Sequence, residues 1–138
     1  MWDTNFRALH ILTIILQRGI SYIVVFVESR QFTRRLGELA GDSADEVLRA
    51  IQSDLLENPE KGATIRGLSG IRKARAANPV RGKGKRGGYR YLHLYLKHRD
   101  HVHLLFLLDK DEQEDLSNEE RRALRQLVAE LKRLGDES

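Results

Sequence analysis

The sequence predicts a small α+β domain: an antiparallel sheet of about four strands with two N-terminal helices and one C-terminal helix, the helices packed on one face. Three observations predict it. The chain has 138 residues, the size of one ordinary domain. Its hydrophobic periodicity runs strand, helix, helix, three strands, helix. No internal repeat or interdomain linker breaks that order. Hydrophobic residues at 41% beside 32% charged ones supply a core and exclude a disordered chain.

Each element has its own signal. Ala8 to Leu16 (ALHILTIIL) is apolar between Arg7 and Arg18, too short for the roughly 20 apolar residues a membrane helix needs. Residues 1–20 are therefore expected to be an N-terminal extension, either a peripheral helix or an upstream stretch from a mis-assigned start, and residues 21–135 the domain. Tyr22 to Glu28 (YIVVFVE), β-branched and aromatic, predicts a buried strand. Ser29 caps a helix whose stripe is Phe32, Leu36, Leu39 and Ala40, ending at Gly41. Ser43 and Glu46 offer a capping box to a second helix striped by Val47, Ile51 and Leu55. Asn58-Pro59 ends it, which makes a helical hairpin.

After short extended segments near Thr64-Ile65, Ile71 to Ala77 alternates Ile71, Lys73, Arg75 and Ala77 with Arg72, Ala74 and Ala76. Asn78 to Gly88 reads as a loop. Tyr89 to Lys97 and Val102 to Leu108 read as strands joined by a tight polar turn, the second apolar on both faces and hence central. Ser117 and Glu120 form another capping box, ahead of the stripe Leu124, Leu127, Val128, Leu131 and Leu134.

Charge is distributed unevenly. The whole chain carries +4, yet the 39 residues from Lys61 to Arg99 hold twelve basic side chains and no acidic one. The remaining 99 residues hold twelve basic against all 20 acidic side chains. Such a block should meet a polyanion. A membrane-surface helix is disfavoured because Gly67, Gly70, Gly82, Gly84, Gly87, Gly88 and Pro79 interrupt it. The absence of cysteine excludes disulfides and thiolate chemistry and suits a cytoplasmic protein.

Several motifs carry little. Gly82 to Gly87 spells GxGxxG but precedes a strand, whereas a dinucleotide fingerprint follows a strand and opens a helix. His98, His101 and His103 lack a further ligand type, so no metal and no cofactor is expected. The acidic run Asp109, Asp111, Glu112, Glu114 and Asp115 lacks calcium-loop spacing and suits the amino end of the last helix.

The cations can carry chemistry. RNA brings its own nucleophile, the 2′-hydroxyl, so cleavage needs a base, an acid for the leaving oxygen, and positive charge around phosphorus. Lys83 and Lys85, crowded by like charges, are candidate proton acceptors. Arg75, Arg86 and Arg90 stay charged and suit phosphate stabilisation. Arg72, Lys73, Arg75 and Arg81 extend the RNA-binding surface, with Tyr91 and His93 as candidate contacts to bases. Strand phase adds a restriction: Arg90 shares a face with Leu92, Leu94 and Leu96, and Tyr91, His93, Tyr95 and Lys97 share the other.

VFVES (25–29), ENPEKGATIRGLSGIRKARAA (57–77), GKGKRGGYR (82–90) and KDEQEDLSNEE (110–120) resemble the HigB-type branch of the RelE toxin superfamily, in order, over about residues 22–134. The resemblance implies a type II toxin: a metal-independent endoribonuclease that cuts mRNA in the ribosomal A site. It implies as partners the ribosome, mRNA and a cognate HigA- or RelB-like, DNA-binding antitoxin. By position, Arg90 matches the family's strand arginine, Lys83, Lys85 and Arg86 its basic loop, Lys73 and Arg75 the strand before it, and Lys110 the lysine after the last strand. Leu108 stands where many relatives have tyrosine, and His93-Leu94 where they have paired aromatics, so Tyr91 or His93 would have to fill the acid or stacking role. Two other readings are a ParE-like gyrase-inhibiting toxin and a non-catalytic RNA-binding module.

Overall fold

The computed structural model describes residues 8–17, 20–77, 88–112 and 115–136. In chain order these form β1 (Ala8–Gln17), β2 (Ile20–Ser29), α1 (Arg30–Ala40), a 3-10 turn (Gly41–Ser43) and α2 (Ala44–Glu57). There follow β3 (Ala63–Thr64), β4 (Arg72–Ala76), β5 (Tyr89–Leu96), β6 (His101–Asp109) and α3 (Asn118–Asp136). The α+β class stands, but the sheet has six strands rather than about four, ordered β1-β2-β6-β5-β4-β3.

The sheet is mixed. β2 and β6 run parallel, from Val25↔His101 to Glu28↔Leu104, while every other pair is antiparallel. Ala8–Gln17 is a strand paired along its length with β2, where a peripheral helix or an unattached extension was the expectation. Its β-branched content, Ile11, Thr13, Ile14 and Ile15, favours the pleated conformation over a helix.

Helices cover both faces, which corrects the one-sided arrangement. Phe32, Leu36, Val47, Ile51 and Leu55 from α1 and α2 pack on Ala74, Ala76, Tyr89, Tyr91, Leu104 and Leu107. Leu124 and Val128 of α3 pack on Leu92, Leu94, Leu96, Leu105, Phe106 and Leu108. The physical reason lies in β5 and β6: both are apolar on alternate and intervening positions, so either face left bare would expose a leucine row. Fully burying one such side chain contributes about 2 kcal/mol. An irregularity at Leu92/His93 lets β6 present Leu105 and Phe106 consecutively to the α3 side before alternation resumes.

The helix ends show which caps form. Ser29 Oγ accepts from the Phe32 amide at 3.0 Å, and Gly41, at φ 53, ends α1. Ser117 and Glu120 form the reciprocal box, at 3.0 and 3.1 Å. Ser43 makes no side-chain cap, because the 3-10 turn leads directly into α2 and leaves no extended residue to present its hydroxyl.

Candidate nucleic-acid interface

The β4–β5 ladder decides which cations stand together. Arg75 is paired with Arg90, and Lys73 with Leu92, so Lys73, Arg75 and Arg90 share the α3 side of the sheet. Arg75 is exposed, and Lys73 and Arg90 are half-buried. Beside Arg90, at the same end of the sheet, β6 ends at Asp109 and Lys110 is exposed. At this end the chain also leaves at Ala77 and returns at Gly88. Gly88 lies so close to β4 that a Cβ there would sit 1.9 Å from the Ala76 carbonyl oxygen. Only glycine allows that approach, which brings the two ends of the basic connection together. Arg81, Lys83, Lys85 and Arg86 lie outside the described residues.

Arg72 falls on the opposite face. Its register partner is His93, and its Nη1 donates to the Gly62 carbonyl at 2.8 Å. The remaining cations of the block also divide. Lys61 pairs with Asp54 at 2.5 Å on the α2 side, and Lys97 and Arg99 sit at the far, hairpin-turn end of β5. Among the described residues, the cations of the block therefore do not form one continuous surface.

Two expected RNA contacts are corrected. Tyr91 and His93 have no exposed surface, because their face of β5 is covered by α1 and α2. Their ring centroids are 5.3 Å apart. His93 Nε2 meets the Lys61 carbonyl at 2.7 Å; a carbonyl only accepts, so Nε2 carries the proton. Burial, reinforced by the Arg72 and Lys61 charges, lowers the imidazole to about 4 despite that hydrogen bond. Burial first, then the Asp54 charge, raises the Tyr91 phenol above its ordinary value. Neither ring can stack on a base or exchange a proton with substrate from this position.

Two residues escaped the sequence reading. Glu112 does not serve the α3 dipole: its Oε1 accepts from Arg35 Nη2 and from the Asp109 amide, and its carbonyl accepts from Arg90 Nη2. Arg35, on α1, donates its Nε to the Leu107 carbonyl at 3.1 Å. The only signal for Arg35 was its place next to Leu36 at the edge of an apolar stripe, a place that cations often occupy for solubility alone. Among the described residues no three His, Cys, Asp or Glu side chains group as a metal set.

Residues 42–138, more than half of the chain, match the family described as the RelE toxin of the RelE/RelB toxin–antitoxin system. The chain belongs to the RelE toxin family. Toxins of the RelE family act beside an antitoxin partner and are generally mRNA-cleaving endoribonucleases. The matched span includes α2, β3 to β6 and α3, and so every strand that contributes a cation to the Arg75–Arg90 end of this RelE-family sheet. No helix among the described residues is long and apolar enough to cross a membrane.

Proposed function

We propose that this toxin is a ribosome-dependent endoribonuclease of the HigB-type branch, cutting mRNA in the cytoplasm through the cationic end of its sheet and held inactive by a HigA- or RelB-like antitoxin. The observation that carries the reading is the Arg75–Arg90 cross-strand pair, with Lys73 beside it, at the point where the connection bearing Arg81, Lys83, Lys85 and Arg86 begins and ends. Like charges placed opposite each other on a sheet repel and cost stability, so their juxtaposition calls for an anion between them.

In this reading the 2′-oxygen attacks phosphorus, the bond to the 5′-oxygen breaks, and the products are a 2′,3′-cyclic phosphate and a free 5′-hydroxyl. Arg90, Arg75 and Arg86 neutralise the charge that grows on the phosphoryl oxygens. Lys83 or Lys85 accepts the hydroxyl proton, and a protonated neighbour in the same loop supplies one to the leaving oxygen. Lys73, Arg81 and Lys110 steer the strand.

Burial of Tyr91 and His93 favours one second reading, RNA binding without cleavage, since it withdraws two acid–base groups from the surface. Primer extension on transcripts from cells expressing the toxin separates the two. Cuts within codons of translated messages, lost in Arg90→Ala, support cleavage. Intact transcripts in growth-arrested cells overturn it, and arrest accompanied by altered plasmid supercoiling points to a gyrase-directed toxin instead.

A further inference from the structure

We propose that the cleft between α1 and the segment following β6 is a second phosphodiester site, in which Arg35 takes the backbone phosphate next to the one held by Arg90. Glu112 occupies that position and holds both arginines until RNA displaces it. This inference rests on the RNA-cleaving reading above and adds to it a residue from outside the basic block.

The geometry starts from a gap in the sheet. β2 pairs with β6 only as far as Glu28↔Leu104, and then turns into α1. The carbonyls of Leu105 and Leu107 on that edge are taken by side chains of the departing segment, Ser29 Oγ at 2.6 Å and Arg35 Nε at 3.1 Å. Arg35 is thereby fixed at its Nε, and its guanidinium carbon lies 5.5 Å from the Phe106 ring centroid. A guanidinium held at one edge and stacked on a ring presents its terminal nitrogens in a set direction, the preorganisation that suits bidentate recognition of phosphate. These nitrogens line a cleft of about 250 Å³ together with Arg34, Glu38, Phe106 and Glu112.

Glu112 bridges two elements. Its carboxylate pairs with Arg35 and its carbonyl with Arg90, while its own amide returns to the Asp109 carbonyl at 3.0 Å. Arg90 Nε is buried without a hydrogen-bond partner among the described residues. A buried guanidinium N–H lacking an acceptor is costly, and a phosphate oxygen would supply one. Glu38 also touches the cleft, at 3.7 Å from Arg35 and 3.8 Å from Arg34, but it is exposed and such helix-surface pairs are weak. Exchanging Glu112 for a phosphodiester never leaves the mostly buried Arg35 without a counter-charge, so the exchange avoids the large penalty of an unpaired buried ion.

The test measures binding of the full-length protein to a 2′-O-methylated single-stranded RNA, which cannot be cleaved, by fluorescence anisotropy over a range of salt. Glu112→Gln keeps its acceptor oxygen but loses its charge, and should bind about threefold or more tightly. Arg35→Gln should bind about tenfold more weakly, with the slope of log K against log salt shallower by about 0.7, the contribution of one phosphate on a single strand. Arg35→Lys should keep the slope and lose part of the affinity. Equal or weaker binding by Glu112→Gln, or an unchanged slope in folded Arg35→Gln, overturns the site. If Arg35→Gln fails to fold, Glu112→Gln decides alone. Absence of salt-sensitive binding by the unsubstituted protein overturns the RNA reading itself, a result distinct from unequal variants.

Discussion

His93 donates its Nε2 proton to the Lys61 carbonyl at 2.7 Å, across 32 residues, tying the middle of β5 to the turn that precedes β3. The ring is fully buried and its Nδ1 has no partner among the described residues, so protonation would place an uncompensated charge in the core. The folded state holds this imidazole near 4, against 6.5 for an ordinary histidine. Between those values the unfolded chain binds more protons. Stability is therefore complete above about pH 6.5 and falls by about 1.4 kcal/mol per pH unit on acidification, levelling off near 4. Urea denaturation at a series of pH values should show this slope, and His93→Gln should remove about one proton's worth of it. An identical slope in the variant would assign the acid sensitivity elsewhere.

Tyr91 gives the opposite kind of prediction. Its hydroxyl is buried and unpartnered among the described residues, so Tyr91→Phe removes a desolvated polar group and no hydrogen bond. The variant should be as stable as the parent or more so, by about 1 kcal/mol. RNA cleavage should be unchanged. A clear loss of stability in chemical denaturation would mean that the hydroxyl has a partner.

Glu28 is buried where β2 meets α1, and Thr33 Oγ1 donates to its carboxylate at 3.0 Å. Burial raises its pKa above the ordinary 4.5, an effect that this hydrogen bond partly offsets. The stability it contributes is present below 4.5, where both states hold the proton, and is lost as pH rises through the folded value. Glu28→Gln should therefore raise the melting temperature more at pH 8 than at pH 4. A difference independent of pH would contradict the assignment.

Two glycines should respond with opposite signs. Gly62 sits at φ 90, and a Cβ on it would lie 2.2 Å from the Lys73 carbonyl oxygen. Gly62→Ala should cost about 3 kcal/mol or more, since strain and a backbone clash combine. Gly37 is exposed on α1 with nothing within 4 Å of the added atom, so Gly37→Ala should stabilise by up to about 1 kcal/mol. Thermal melts of both variants are the measurement.

Most strands and helices were legible because each carries a local signal: Val24 to Val27 for β2, the Ser29 cap for α1, the Ser117–Glu120 box for α3; β1 was not, since its apolar run suits a peripheral helix as well as a strand. The two-sided burial of Val102 to Leu108 was also legible in the sequence, as a strand apolar on both faces. The second helix layer that this requires was not inferred. In the candidate site, the phase argument for Arg90 was sound, and the register places it with Arg75 on the α3 side. The failure at Tyr91 and His93 had a specific cause, for their polar atoms suggested a surface while their face of the strand lies beneath α1 and α2.

From its order of residues alone, this chain determined its periodicities, the Ser29 and Ser117 caps and the concentration of cations between Lys61 and Arg99, since each depends on neighbours within a few positions. Tertiary structure alone decided which of those cations meet and which are separated. Pairing register assigns Arg75 to Arg90 and Arg72 to His93, and the departure of β2 from the sheet brings Arg35 to Glu112 across 77 residues. Contacts of that span depend on how strands align and where an edge opens, and no local pattern encodes either.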